Sequence, residues 1–182
     1  MPAKTVRKPK VTIPMVEQMQ IVYISHTAST AKAAEAIVDF LVRLGLRWDE
    51  MVCSSIPPVA PPEENAQEWL DEKKETTGLV LAVASEDSKT SADFKCEIQH
   101  FQVETKPIVS FFVPGYDFRD DPIGLGRYLG IKLDGDKNRL HYALAELAAL
   151  VGKALDKEIN PVELLWAIER FIEDIEKLKM PA

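Results

Sequence analysis

The run Leu79–Ala84, LVLAVA, admits few folds. It is short, carries β-branched residues and is bounded by polar segments, which describes a strand buried on both faces. Pro107–Val113 is a second continuous apolar run of the same kind. Three further strands are predicted: Gln20–Ser25, with Ile21, Val22, Tyr23 and Ile24 as its core; Met51–Ser55; and a short edge strand, Ile131–Leu133. Helical patterns separate them. After a polar turn, His26–Thr30, the residues Ala34, Ile37, Val38, Leu41 and Leu44 mark one buried helix face, and Gly45 supplies its stop. Glu64–Thr76 reads as a helix carrying Trp69 and Leu70. Ile123–Leu129 is a short helical segment interrupted by glycine, and Lys137–Leu155 is a long helix rich in Ala and Leu.

Strands that alternate with helices demand crossover connections and a parallel sheet covered on both faces. Five strands suit the flavodoxin-like order 2-1-3-4-5. In that order the switch point lies between the first and third strands. The loops Ser25–Thr30 and Ser85–Ser91 then flank one crevice, the expected ligand site of an open α/β sheet. Ile56–Pro62, IPPVAPP, is neither helix nor inner strand, because its prolines lack donors and fix φ. It is expected to be a stiff exposed loop forming one wall of the crevice.

The third crossover is the most informative stretch. Ser91 is a plausible N-cap, and Phe94, Ile98 and Phe101 follow at i, i+4 and i+7 as one apolar stripe. Glu97 lies roughly 60° from the centre of that stripe by helical geometry. It is therefore placed on the shoulder of the helix, near the C-terminal end of a buried strand, and becomes the candidate functional residue. Its neighbour Cys96 is expected to point to the opposite side of the helix. A glutamate beside an amphipathic stripe is ordinarily just solvated, so the surrounding pattern has to carry the assignment.

The chain has 182 residues and 46% hydrophobic content, enough for one domain with a sizeable core. Its formal net charge of −7 and pI near 5.1 argue against a nucleic-acid surface as its main business. The exception is a basic N-terminal tail, 1–19, with Lys4, Arg7, Lys8 and Lys10, expected to be flexible. No secretory signal is visible and no run approaches the length of a membrane span, so a cytoplasmic protein is expected. Cys53 and Cys96 have no paired spacing, and His26, His100 and His141 are scattered. Neither a disulfide framework nor a metal site is suggested.

Beyond the domain at 20–155, residues 160–180 read as an added amphipathic helix. Pro161 fits its first turn, and Leu165, Ile168, Phe171, Ile172, Ile175 and Leu178 form a seam near the 3.5-residue period. Trp166 lies off it. Such a seam packs on the domain or pairs with another chain.

The succession VYISH, AEAIVDFL, CSSIPP, ENAQEWL, a strand ending at Ser85, and Ser91-x5-Glu97 resembles the TIR (Toll/interleukin-1 receptor) domain family, its bacterial branch in particular. The resemblance covers about 20–155 and implies a parallel five-stranded sheet with flanking helices. Many family members cleave NAD+ at the nicotinamide–ribose bond with a glutamate on the third helix, the position that Glu97 matches. The family's mobile assembly loop corresponds to Ile56–Pro62. Where relatives often carry an aromatic or apolar residue four positions before the glutamate, this chain has Asp93.

The resemblance implies an NAD+ nucleosidase with Glu97 as catalytic residue, NAD+ as substrate, and no metal or bound cofactor. A cyclic ADP-ribose-type product and a role in antiviral or immune signalling come with it. Ser25, His26, Ser29, Thr30, Ile56, Ser85, Ser91 and Phe94 are the expected substrate contacts. The pyrophosphate would rest on the first helix's N-terminus at Ser29 and Thr30, and Phe94 or Trp69 would stack a base. Self-association through Ile56–Pro62, and through the C-terminal helix, is expected with it. Two other classes stay open: a TIR scaffold that signals by assembly alone, and a flavodoxin-like FMN carrier using the hydroxyl-rich Ser25–Thr30 loop.

Overall fold

One sheet of parallel strands runs through the protein. In chain order the strands are β1 (Ile21–His26), β2 (Met51–Cys53), β3 (Thr77–Ala84), β4 (Ile108–Phe112) and β5 (Leu129–Lys132). They lie side by side as β2-β1-β3-β4-β5, every neighbouring pair parallel. Five helices complete the chain: α1 (Ala31–Arg43), α2 (Ala66–Glu75), α3 (Ala92–Val103), α4 (Lys137–Leu155) and α5 (Pro161–Leu178). This is the flavodoxin-like α/β fold with an additional C-terminal helix. The computed structural model describes residues 20–57, 59–62 and 64–178. The basic tail, 1–19, and Pro58 of the proline-rich loop lie outside the described residues. No helix among the described residues is long and apolar enough to cross a membrane.

Side chains alternate across a strand, so each strand feeds two cores. Val22 and Ile24 of β1 join Leu79, Leu81, Val83, Val109, Phe111 and Ile131 on the face covered by α1, α4 and α5. Ile21 and Tyr23 face the other way, with Val80, Ala82, Ala84, Ile108 and Phe112, where α3 lays down Phe94, Ile98 and Phe101. Trp69 and Leu70 of α2 are half-buried at the margin of this second core.

The first face is the thicker one. Phe171 of α5 is fully buried, its ring centroid 5.5 Å from Phe40 on α1 and 6.3 Å from Phe111 on β4. The helix thus reaches the sheet itself, and α1 is covered both by strands and by α5. Of the predicted seam, Ile168, Phe171, Ile172 and Ile175 are buried and Leu178 packs against the same core. Leu165 does not belong to it: the residue is 56% exposed, while Ala167 is buried and Leu164 packs inward. Burying four large apolar side chains at about 1.5–3 kcal/mol each stabilises the fold on the order of 10 kcal/mol. That is as large as the net stability of an ordinary domain.

The link between α4 and α5 is tightly turned. A Cβ on Gly152 would lie 2.7 Å from the Lys157 carbonyl oxygen, so only glycine admits this return of the chain. Lys157 then reaches Glu50 at the start of β2, its ammonium 2.5 Å from the carboxylate.

The proline-rich loop differs from its expectation as an exposed projection. Val59 is 2% exposed and packs into the first core. Its backbone turns back, with the Val59 N–H donating to the Ile56 carbonyl (2.9 Å) and the Cys53 N–H donating to the Val59 carbonyl (3.0 Å). A single apolar residue with a hole to fill outweighs the polar surroundings of its loop.

Candidate functional site

The site begins with strand periodicity. Because β1 alternates, Tyr23 and Ser25 lie on the same face, the one covered by α3. In register with Ser25 stands Ala82 of β3, whose small side chain leaves room for a group from above. Glu97 reaches this face of β1 from α3. Its Oε2 accepts a hydrogen bond from the Ser25 hydroxyl at 2.6 Å, and its Oε1 accepts one from the Tyr23 hydroxyl at 3.1 Å. The carboxylate is half-buried, with both oxygens anchored on the inner strand β1.

Tyr23 is suited to this task. Burial, together with the adjacent Glu97 charge, pushes its phenol far above the ordinary tyrosine value. It therefore stays protonated and donates at any working pH. Its ring packs on Phe101 with centroids 4.9 Å apart, which fixes the hydroxyl's direction.

The helix bearing Glu97 is held at its start. Ser91 is the N-cap of α3, its hydroxyl oxygen accepting from the Phe94 N–H at 3.3 Å. Before it, β3 runs into a 3-10 turn, Glu86–Lys89. The loops after β1 and β3 are tied to one another, with the Ser29 and Ser85 hydroxyls 3.1 Å apart. A second tie crosses to the loop after β2: His26 Nε2 lies 2.8 Å from the Ser55 hydroxyl and His26 Nδ1 lies 2.9 Å from the Thr27 carbonyl. A carbonyl can only accept, so Nδ1 carries a proton there and a neutral ring accepts from Ser55 through Nε2.

Above these ties opens a cavity of about 820 Å³, lined by the loops after β1, β2 and β3 and by α2 and α3. Its size falls within the range of small-molecule sites. Glu97 lines it together with His26, Ser29, Ser91 and the edge of Phe94. The other expected contacts do not line it. Ser25 and Ser85 are buried behind it, bonded to Glu97 and Ser29. Thr30 is 1% exposed, its N–H bonded to the Thr27 carbonyl and its hydroxyl to the Thr27 and Val83 carbonyls. Ile56 is half-buried against the first core, and Trp69 is absent from the lining.

Cys96, expected on the far side of α3, is exposed and borders the same cavity as Glu97. Adjacent helical residues diverge by about 100°, and an open cavity spans that arc. Cys53, by contrast, is buried, and burial pushes its thiol up.

Sequence reasoning passed over Tyr23, read as strand core, and Lys74, Asp87, Asp93 and His100, which also line the cavity. For Tyr23 the signal was its shared face with Ser25; for Asp93 and His100 it was their spacing of −4 and +3 from Glu97 on one helix. The lining carries Asp87, Asp93 and Glu97 against Lys74, an acidic balance that favours a cationic group in the ligand. Among the described residues no group of His, Cys, Asp and Glu is arranged to hold a metal ion. No protein-family model matches the chain, and no curated protein matches it.

Proposed function

We propose that this chain is a TIR-type NAD+ nucleosidase, with Glu97 as the catalytic residue that helps break the nicotinamide–ribose bond. One observation carries the reading: Glu97 stands at the crevice beside β1 and β3, with each carboxylate oxygen held by a hydroxyl from β1. Each oxygen keeps a further acceptor position for a ribose hydroxyl in the cavity.

The chemistry asks for little more. Nicotinamide leaves with the electron pair of the C–N bond and departs as a neutral base, so no acid is needed. Positive charge develops at the ribose C1′ as the bond lengthens, giving an oxocarbenium-like centre. A half-buried carboxylate, already oriented by Tyr23 and Ser25, stabilises that charge without reorganising. Water then captures C1′, or an adenine nitrogen does and a cyclic ADP-ribose-type product forms. The acidic lining supports binding of the pyridinium cation that is present in NAD+ and absent from NADH. A role in antiviral or immune signalling, with assembly through the Ile56–Pro62 loop, belongs to the same reading.

The flavin reading loses support at the loop after β1. The hydroxyls of Thr27, Ser29 and Thr30 bond to one another, to Ser85 and to backbone carbonyls. The test is incubation with NAD+ and chromatography for free nicotinamide. Glu97→Gln is expected to lower kcat by about 10²–10³ while changing NAD+ binding little. Full turnover in Glu97→Gln would remove this residue from the mechanism. No nicotinamide from concentrated wild-type protein would leave an assembly module in place of an enzyme.

A further inference from the structure

The outward face of α5 is apolar where a helix on the surface should be polar. Val162, Leu165 and Trp166 are 67%, 56% and 78% exposed, at i, i+3 and i+4. Glu169, next on the same face, is bonded to His141 of α4 (3.2 Å), and Tyr142 beside that histidine is 78% exposed. The inward face of α5 already fills the core, so this stripe is not needed for the fold. Contiguous exposed surface of this kind marks a contact site in proteins that otherwise hide it.

We propose that the outward face of α5 is the interface through which two copies of this chain pair, their α5 helices antiparallel about a two-fold axis. Shape is the first argument. Trp166 and Arg170 border two shallow grooves. One, of about 660 Å³, is lined by Val162, Leu165, Glu169 and Glu173; the other, of about 490 Å³, by Arg43, Glu163 and Ala167. A ridge flanked by grooves is complementary to its own copy, as an isologous contact requires.

Charge gives the register. Glu163 and Arg170 stand seven residues apart on the α1 side of Trp166. A two-fold axis passing midway between them sets Glu163 of each copy opposite Arg170 of the other, and sets the two helix dipoles antiparallel. Arg170 is also paired within its own helix, with Glu173 (2.9 Å) and Asp174 (3.6 Å). Parallel pairing would bring like charges together. Area fits as well: two largely exposed aromatic rings with Val162 and Leu165 offer on the order of 500 Å² of apolar surface, and the charged rim extends this toward the roughly 800 Å² per partner of a stable interface. The site at Glu97 lies under the opposite face of the sheet and stays open in this dimer.

Sedimentation equilibrium of the full chain over the micromolar range tests the proposal, with far-UV circular dichroism as the control for folding. Wild type is expected to sediment as a dimer. Trp166→Glu, at an exposed position, is expected to keep the fold and weaken dimerisation by at least ~30-fold. Glu163→Arg and Arg170→Glu are each expected to weaken it, and their combination to restore it. A wild type that stays monomeric at the highest concentration overturns the proposal, and so does a dimer indifferent to Trp166→Glu. Failure of the double charge swap to restore association overturns the antiparallel pairing. Nicotinamide release is a separate readout, which Trp166→Glu is expected to leave unchanged.

Discussion

Replacing Phe171 by alanine tests how deeply α5 is built into the domain. The side chain is fully buried and touches both α1 and the sheet, through Phe40 and Phe111. Truncating a buried phenylalanine costs about 3–5 kcal/mol, from lost transfer energy and from the cavity left behind. The upper part of that range applies here, because the neighbours of Phe171 sit on two different layers and cannot collapse together into the hole. For a chain of this size each kcal/mol lowers Tm by about 2–4 °C, so the upper part of that range, about 4–5 kcal/mol, gives an expected drop of roughly 8–20 °C. Thermal unfolding followed at the helical ellipticity band measures it, with Val103→Ala as control. Val103 is 80% exposed, and its truncation should stay within about 0.5 kcal/mol. If Phe171→Ala melts within about 3 °C of wild type, α5 does not reach the sheet and its burial energy has been misjudged.

Two further outcomes follow from buried polar groups. Burial pushes the Glu50 carboxyl up, but the Arg47 N–H and the Lys157 ammonium outweigh it and hold the group below the ordinary glutamate value. A depressed carboxyl adds stability above its unfolded pKa and loses it as pH falls through the folded value. The stability gap between wild type and Glu50→Gln, measured by urea unfolding, should therefore close below about pH 4; a gap that persists unchanged at lower pH contradicts this. Tyr23→Phe removes one of the two donors to Glu97, a hydrogen bond to a charged group worth about 1.5–3 kcal/mol. It should lower kcat for nicotinamide release by about tenfold or more with KM nearly unchanged, whereas a rise in KM alone would assign Tyr23 to substrate binding.

The sheet order was readable because each inner strand is an apolar run and an α-helix lies between each successive pair of the first four strands. The N-cap at Ser91 and the shoulder position of Glu97 followed from local rules that need no tertiary information. What binds Glu97 did not. Tyr23 and Ser25 are visibly on one face of β1, but which residue of which helix meets that face depends on how α3 sits across the strands. Val59 was hidden for a similar reason: prolines announce stiffness, and the hole that draws Val59 inward is made by other elements. The seam of α5 was misread by one position at its start, where Leu164 packs inward and Leu165 is exposed. The same slip concealed the outward stripe.

The anchoring of Glu97 also bears on the order in which the chain acquires its properties during folding. Its two partners are 74 and 72 residues away in sequence, on a strand that lies between β2 and β3. Helices form within about a microsecond, whereas parallel strands separated by a crossover pair only after the entropy of a long loop has been overcome. Tyr23 and Ser25 therefore meet the carboxylate only once β1 and α3 are docked on the same face of the sheet. Competence at the crevice thus reports the docking of one inner strand, β1, against its neighbours.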